Sequence, residues 1–459
     1  MMLKFLYPSR ANSRLMTMNG PAPGYDLIRN VHRITLYSTI AADHQHPSNL
    51  KNRLYLHVDM NCFYAQVEQH SYNLFGLPVI IGGWRKENGT PRGIVATSSY
   101  EARSCGVKTA MSFLEATQLC PFVIPLQVHY EKYVAVSRET KRIFLRYAPE
   151  TEAYSMDESF LDISYLLGKS REDLRAFGDQ LRNEIYQRCR LVCSIGISYS
   201  KTYAKLASDL KKPNGLTLIL TEGDARGYLY PLPLKEVWGI GSRRFEKLQA
   251  AGLSNIQDAV DQGPGAFQKL FGAYFGRMLW ETATGRDCAM VRDPENHVPK
   301  EVGYMHTFSD WTDEPDRVQG EMTKAVRQLC YRMRGYCRRA ERYHGYIRFQ
   351  DNTWTGVGFD FRTDGLTNLD SYIAEACIAS GMPLVRRFLG EGHRIRGIGL
   401  STQEMEDQRQ LELFFQEDEK LRGLFYAMDR VNNTYGLDSL MPASVRYAVE
   451  GKTHFLERS

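Results

Sequence analysis

Leu54-Tyr55-Leu56-His57-Val58-Asp59 is a six-residue β-prone run that ends on a carboxylate, and a helical pattern begins three residues later, from Cys62 to about Tyr72. Further β-prone runs follow at Val79–Ile81, Ile94–Thr97, Phe122–Pro125, Thr151–Tyr154, Phe160–Ile163, Val192–Ile197 and Leu216–Leu220. Helical patterns lie at Tyr130–Tyr147, Leu174–Arg188 and Ser200–Leu210. With segment 63–129 taken as an insertion, the order strand, helix, strand, strand, helix, strand is a split βαβ arrangement, as in ferredoxin-like folds. The chain therefore reads as α+β, with Asp59 at the end of its first buried-type strand. A second acidic feature, Asp157-Glu158, lies in the turn Tyr154-Ser155-Met156-Asp157-Glu158-Ser159-Phe160 between two strand-like runs. If those strands neighbour the first one, three carboxylates meet at one sheet edge.

The wider composition restricts what such an edge can serve. At 459 residues the chain exceeds what one core organises, and 43% apolar content suffices for two to four packed domains. No stretch approaches the ~20 consecutive apolar residues of a membrane helix, so a membrane role is not expected. The nine cysteines are scattered, with no C-x-x-C pair and no secretory signal before them, and read as reduced thiols in a cytoplasmic compartment. Residues 1–52 mix Pro, Asn, Ser, Gly and His without periodicity, and their first acid is Asp26; they read as a disordered extension. Net charge is only +5, but basic residues crowd the stretch from Lys324 through Arg348.

Three carboxylates on adjacent strand ends can hold two magnesium ions ~3.5–4 Å apart, which would activate a hydroxyl and neutralise a triphosphate. An Asp at a strand end or an Asp-Glu turn, taken alone, is more often a cap or a solvated turn. The surrounding blocks change the balance. They are His57-Val58-Asp59-Met60-Asn61-Cys62-Phe63-Tyr64-Ala65-Gln66-Val67-Glu68, then Ala96-Thr97-Ser98-Ser99-Tyr100-Glu101-Ala102-Arg103, then Ser155-Met156-Asp157-Glu158-Ser159-Phe160-Leu161-Asp162. A fourth runs from Gly196-Ile197-Ser198 through Ala204-Lys205-Leu206-Ala207-Ser208-Asp209 to Lys212-Pro213-Asn214-Gly215.

In that order and spacing the four blocks resemble the Y-family DNA polymerases, specifically the bacterial polymerase IV type, and a weaker resemblance continues to about Phe415. The resemblance implies a template-directed, low-fidelity, lesion-bypassing polymerase that takes deoxynucleoside triphosphates and primer-template DNA. It makes Asp59, Asp157 and Glu158 the catalytic metal ligands, with the backbone carbonyl of Met60 completing one shell around two Mg2+ ions, for which Mn2+ can substitute. Tyr100, Arg103 and Lys212 match the contacts to the β- and γ-phosphates, and Thr97 adds a hydroxyl; an Arg fork and a Lys point charge suit a developing pyrophosphate. Tyr64, next to Phe63, matches the steric gate that would exclude a ribose 2′-hydroxyl. The sequence departs from the pattern at Asn61, where polymerase IV relatives commonly carry Asp. Because that position is not among the implied ligands, little loss of activity is expected from it.

The segment Leu234-Lys235-Glu236-Val237-Trp238-Gly239-Ile240-Gly241-Ser242-Arg243-Arg244-Phe245-Glu246-Lys247-Leu248 resembles a helix-hairpin-helix. Gly239 and Gly241 would permit a tight turn whose N–H groups approach a DNA phosphate, with Arg243 and Arg244 beside it. A lone Gly-Ile-Gly turn is otherwise just a turn. Arg332, Arg338 and Arg339 lie in the basic run, where Glu341 is the sole acid; a solvated basic helix face is the plainer alternative to a grip on DNA. Near the tail, Gln410-Leu411-Glu412-Leu413-Phe414 resembles the peptide with which bacterial polymerases dock on the sliding clamp, through Gln410, Leu411, Leu413 and Phe414.

The expected organisation is a disordered extension (1–52), a split-βαβ palm (53–62 and 130–220), small fingers (63–129), a helical thumb (221–295), an α/β little finger (296–403) and a clamp-binding tail (404–459). A monomeric, cytoplasmic and nucleoid-associated enzyme is expected. The competing reading is a catalytically silent polymerase-like subunit that binds DNA and recruits repair factors. Intact Asp59, Asp157 and Glu158 weigh against it.

Overall fold

The computed structural model describes residues 53–85, 91–287, 289–291, 299–349, 356–408, 418–436 and 439–445. Their apolar side chains gather into four large buried clusters and a small fifth, so the chain is several units in series.

β1 (Tyr55–Met60) is buried along its whole length, and Cys62, at a φ of 39°, turns the chain into α1 (Phe63–Tyr72). An inserted unit follows: β2 (Val79–Ile81), β3 (Trp84–Arg85), β4 (Pro91–Arg92), β5 (Thr97–Ser98), α2 (Tyr100–Ser104), α3 (Phe113–Leu119) and β6 (Ile124–Leu126). The chain then returns through α4 (Tyr130–Tyr147), β7 (Thr151–Ala153), β8 (Glu158–Asp162), α5 (Arg171–Cys189), β9 (Cys193–Ser198), α6 (Lys201–Asp209) and β10 (Leu216–Ile219). The strands of this N-terminal sheet lie in the order β10-β9-β1-β8-β7, with β1 antiparallel to both neighbours. Alternation along each strand gives the sheet two unlike faces. Leu56, Val58, Leu161, Ile195 and Ile197 join Ile143, Phe144, Leu181 and Ile185 of α4 and α5 in one core. Each such side chain contributes roughly 1.5–3 kcal/mol by leaving water.

The opposite face carries His57, Asp59, Glu158, Phe160 and Ser194, and α6 lies against it. Gly196 makes that close approach possible. A Cβ there would fall 1.9 Å from the carbonyl oxygen of Ala204 and 2.5 Å from the nitrogen of Ser208. In the inserted unit the run Ile94–Thr97 does not form one strand. Gly93 bends the chain at a φ of 87°, Ile94 is 61% exposed and pairs through a single bridge to Ser112, and pairing with β2 begins at Thr97.

The helical unit holds α7 (Glu222–Tyr228), α8 (Ser242–Ala250), α9 (Ile256–Gln262), α10 (Pro264–Phe271) and α11 (Ala273–Ala283) around Leu248, Phe267, Leu279 and Trp280. A second sheet unit follows, with β11 (Gly303–Thr312), α12 (Pro315–Gly335), β12 (Arg338–Phe349), β13 (Gly356–Thr367), α13 (Asp370–Gly390), β14 (Ile395–Thr402) and β15 (Glu406–Asp407). Its main strand order is β11-β14-β12-β13, and residues of α12 and α13 share a core with one face of that sheet. The last described α-helix is α14 (Glu419–Tyr435), started by the Asp418 side chain, which accepts the N–H of Lys420 at 2.8 Å. Phe425 and Met428 of this helix pack with Leu369 against the second sheet unit. No described helix is long and apolar enough to cross a membrane.

Candidate active site

The register of the N-terminal sheet sets Asp59 of β1 directly opposite Glu158 of β8 on one side and Ser194 of β9 on the other. The Met60 N–H donates to the Asp157 carbonyl at 2.9 Å, which closes the end of the β1–β8 ladder. Ser155 shapes the turn: its Oγ lies 2.5 Å from Asp157 Oδ1 and accepts the Glu158 N–H at 2.9 Å. The three sequence-selected carboxylates thus share one edge of one face.

Cations answer them from α6 and the loop after it. Lys212 Nζ lies 2.6 Å from Asp59 Oδ2 and 2.6 Å from Asp209 Oδ1, and Lys205 Nζ lies 2.5 Å from Glu158 Oε2. His57, two residues before Asp59 on the same face, is fully buried, 2.8 Å from Ser208 Oγ and 3.5 Å from Glu158 Oε2. Burial pushes the Asp59 carboxyl up to about 6; Lys212 pulls it down, and Glu158 and Asp157 push it further up. Burial would also raise Glu158, but His57 and Lys205 hold it well below the usual carboxylate range. The His57 imidazole is lowered to about 4 by its own burial, with Lys205 adding to the fall.

Beneath the turn, Lys141 of α4 is 8% exposed and points Nζ at three backbone carbonyls, those of Ser155 (3.0 Å), Met156 (3.3 Å) and Glu158 (3.4 Å). Ser137, one helical turn earlier, donates to the Met156 carbonyl at 2.6 Å. Burial lowers the Lys141 ammonium to about 8, while Asp157 and Glu158 pull it back up. The sequence reading passed over Lys141, Lys205 and His57. Each left a signal: Lys141 falls at the i, i+4, i+8 positions of Tyr133 and Ser137, His57 alternates with Asp59, and Lys205 lies inside the fourth block.

No group of three or more His, Cys, Asp or Glu side chains among the described residues is disposed to hold a metal ion. The donor set nevertheless suits one. It is all oxygen, which hard cations such as Mg2+ and Mn2+ prefer, and the Asp59 carboxyl, raised chiefly by burial, is pushed further up by Glu158 and Asp157 beside it.

Of the other selected residues, Tyr100 lies within the field of Asp59 and Lys212, and Tyr64 touches Met156 of the turn. Ser99 caps α2, with its side chain accepting from the Ala102 N–H, and so presents Tyr100 and Arg103. The Arg103 guanidinium lies 4.9 Å from the centre of the Tyr100 ring and donates from Nε to the Ser98 carbonyl; among the described residues it forms no ion pair with Glu101 or Glu115. The Tyr100 phenol is raised by burial within the field of Arg103, Lys212 and Asp59, and its hydroxyl is buried without a protein partner. Thr97 is half-buried on β5. Tyr64 stacks on Tyr133 at 4.2 Å, meets Tyr130 edge-on, and rests its hydroxyl 3.9 Å from Met156 Sδ; Phe63 is buried behind it.

The basic candidates divide. Gly239, at a φ of 87°, and Gly241, which precedes α8, form the expected turn, though a single 3-10 turn at Leu234–Glu236 stands where a first α-helix was read. Arg244 folds back, donating to the Gly239 carbonyl at 2.7 Å beneath Phe275, whereas Arg243 is exposed. The basic run is not one helix face: it crosses from α12 into β12. Arg332 on α12 donates to the Gly303 carbonyl at 2.6 Å, and burial lowers its pKa, so it braces β11 instead of facing solvent. Arg338 and Arg339 begin β12 and are half-buried, Arg338 lying 3.4 Å from Asp407. Gln410, Leu411, Leu413 and Phe414, like residues 1–52, lie outside the described residues.

Residues 58–209 match the model of the impB/mucB/samB family, and residues 299–413 match the model of that family's C-terminal domain. The DNA polymerase IV of Bacillus velezensis is 32% identical over 414 residues, which cover 88% of this chain and 95% of the relative. That of Streptococcus agalactiae is 36% identical over 282 residues, 61% of this chain and 76% of the relative. Among solved structures, a Y-family DNA polymerase chimera of Dbh and Dpo4 superposes with a TM-score of 0.64 at 23% identity, over 76% of this chain and 98% of that one. An insertion ternary complex of Dbh DNA polymerase gives 0.52 at 22% identity, over 77% and 99%. At such identities the structural likeness is one of fold.

Proposed function

This chain belongs to the impB/mucB/samB family, the Y-family translesion DNA polymerases of the bacterial polymerase IV type, and is a DNA-directed DNA polymerase; on that premise we propose that the edge built by Asp59, Asp157 and Glu158 adds deoxynucleotides to a primer 3′ end. In that reaction the primer oxygen bonds to the α-phosphorus as the α–β bridging bond breaks, and pyrophosphate leaves. The observation that carries the assignment is the register that puts Asp59 against Glu158, with Asp157 tied to Met60 by a backbone hydrogen bond. Asp59, Asp157, Glu158 and the Met60 carbonyl would hold two magnesium ions, or manganese in their place. Bound there, the ions supply hydroxyl activation and neutralise phosphate charge.

The chain's own side chains account for the rest. Lys212 and Lys205 neutralise Asp59 and Glu158 before substrate arrives, which limits repulsion among the carboxylates. Lys212 then exchanges Asp59 for a triphosphate oxygen, joining Arg103 and the unpartnered Tyr100 hydroxyl, with Thr97 at the margin. Tyr64, backed by Tyr133, closes the space a ribose 2′-hydroxyl would need. We assign the palm to 53–62 and 130–220, the fingers to 63–129, the thumb to 221–295 and the little finger to 296–403. In the tail, Gln410, Leu411, Leu413 and Phe414 would dock on a sliding clamp. The DNA acceptor is gripped by Arg243 near the Gly239–Gly241 turn and by the open face of the second sheet.

Primer extension with magnesium on an undamaged template tests the reading. Wild type extends, and Asp157→Ala loses about 10^3-fold or more in rate while still binding DNA. Binding without extension by the wild type would establish the silent-subunit alternative instead.

A further inference from the structure

Asn61 is 2% exposed, and its backbone is fixed on both sides: its N–H donates to the Val192 carbonyl at 3.1 Å, and its carbonyl accepts from Gln66 Nε2. Gln66 is itself bound to Val192, accepting its N–H at 2.8 Å and donating to its carbonyl at 2.9 Å. The amide that this frame presents works as a two-sided clamp. Oδ1 accepts the backbone N–H of Asn214 at 2.8 Å, and Nδ2 donates to Ser194 Oγ at 3.0 Å. Ser194 Oγ in turn accepts the next N–H, that of Gly215, at 3.2 Å. Two consecutive donors just past Lys212-Pro213 are therefore taken by side chains of β9 and the end of β1.

The loop they hold is tight. A Cβ on Gly215 would lie 2.3 Å from the Lys211 carbonyl oxygen, and Asn214 sits at a φ of 58°. Ser194 is also the register partner of Asp59, so the clamp ties the loop bearing Lys212 to the strand position beside the carboxylate that Lys212 touches.

We propose that Asn61, acting with Ser194, is a positioning residue for the triphosphate contact made by Lys212. The inference rests on reading Lys212 as that contact. An amide at position 61 supplies an acceptor for Asn214 and a donor for Ser194 without adding a fourth negative charge beside Asp59. Removing it leaves a buried N–H without a partner and frees the loop, and displacement of an orienting group by about 1 Å can lower efficiency by up to ~10^2-fold.

Single-nucleotide insertion kinetics on the full chain decide the matter, with thermal unfolding and DNA affinity measured alongside. Lys212→Ala raises KM for the incoming nucleotide and sets the scale. Asn61→Ala raises it by roughly 10-fold with kcat within about threefold of wild type, which is loss of ground-state binding. Asn61→Asp keeps the acceptor for Asn214 and stays within about threefold of wild type in KM. Ser194→Ala falls between. In the Asn61→Ala, Lys212→Ala double variant the Asn61 change adds nothing, because the group it positions is gone.

If Lys212→Ala leaves KM unchanged, the triphosphate reading of Lys212 itself fails. If Lys212→Ala raises KM while Asn61→Ala and Ser194→Ala keep the wild-type value, this inference alone is overturned. It is likewise overturned if Asn61→Ala lowers kcat, DNA affinity and melting temperature together without a selective rise in KM, or if the two changes are additive. Should Asn61→Ala not fold, Ser194→Ala and its double variant with Lys212→Ala carry the same decision.

Discussion

The carboxylate edge and the basic run at 324–348 both concentrate charge, but they dispose of it differently. At the edge, Lys212 and Lys205 meet Asp59 and Glu158 at 2.6 and 2.5 Å, and Lys141 fills the space under the turn with its ammonium on three carbonyls. Asp59, Glu158 and Lys141 are each answered by atoms of a different element, and Asp157 by Ser155 Oγ of its own turn. In the basic run the arginines separate by secondary structure. Those on α12 turn inward, Arg334 to Asp370 and Asp429 and Arg332 to the Gly303 carbonyl, while Arg342 and Arg348 on β12 sit on the sheet face opposite the helices. A constellation with fixed spacing predicts contacts. Charge density predicts only a sign.

The largest expected effect lies on the uncharged side of the edge. Tyr64 stacks on Tyr133 and touches Met156, the residue before Asp157, so its ring is held relative to the carboxylates. Tyr64→Ala lowers discrimination against ribonucleotides by on the order of 10^3-fold, since a site that rejects a hydroxyl by shape loses that rejection with the shape. The ratio of kcat/KM for deoxy- and ribonucleotides measures it. An unchanged ratio would remove Tyr64 from the constellation.

Arg334 tests the other region. The residue is 5% exposed, with Nη1 2.6 Å from Asp370 Oδ1 and a two-pronged contact to Asp429 at 2.6 and 2.9 Å. Replacing it with Met strands two carboxylates, one of them buried, at about 3–5 kcal/mol of stability. Denaturant unfolding reads the loss, and the salt dependence of DNA binding by the folded fraction stays as it was. A variant of wild-type stability would mean that α14 does not depend on this pair.

The split between regions is also a split in what was legible. Strand alternation and the turn made Asp59, Asp157 and Glu158 legible as one edge, whereas Tyr64, Tyr100, Arg103 and Lys212 were legible only through the resemblance of the four blocks to a known family. The βαβ order was legible from alternation too, as strands such as Leu54–Asp59 alternate cleanly. Arg332 and Arg244 were read as DNA contacts because a guanidinium bonded to a carbonyl looks, in one dimension, like one facing a phosphate. The replacement of Asp by Asn at position 61 was expected to cost little activity; what the sequence did not show is the bond from Asn61 to the Asn214 N–H, 153 residues away. Ile94–Thr97 shortened for a local reason, the bend at Gly93.

His57 offers a test of the edge by pH. Its pKa is lowered to about 4 by burial, below the ~6.5 of an unfolded chain, so the unfolded state binds more protons in between. The stability it contributes is complete above about 6.5 and is lost as pH falls toward 4, amounting to about 3 kcal/mol. Relative to His57→Gln, the wild type should therefore lose stability by that amount between pH 7 and pH 4. Parallel stability curves for the two proteins would show that His57 is not held neutral against Glu158.

The smallest effect separates the arginines most finely. Each phosphate contact contributes roughly 0.9 to the slope of log affinity against log salt concentration. On the open face of the second sheet, Arg342 pairs across the ladder with Arg362, and Arg348 with Gly356. Arg342→Ala and Arg348→Ala should each reduce the slope by about one unit or less, with the loss of affinity independent of DNA sequence. Arg332→Ala should leave the slope intact and lower the melting temperature, because its guanidinium belongs to the Gly303 carbonyl. If Arg332→Ala reduces the slope as much as Arg342→Ala does, the helix arginines reach DNA after all, and the distinction between inward and outward cations in this domain falls.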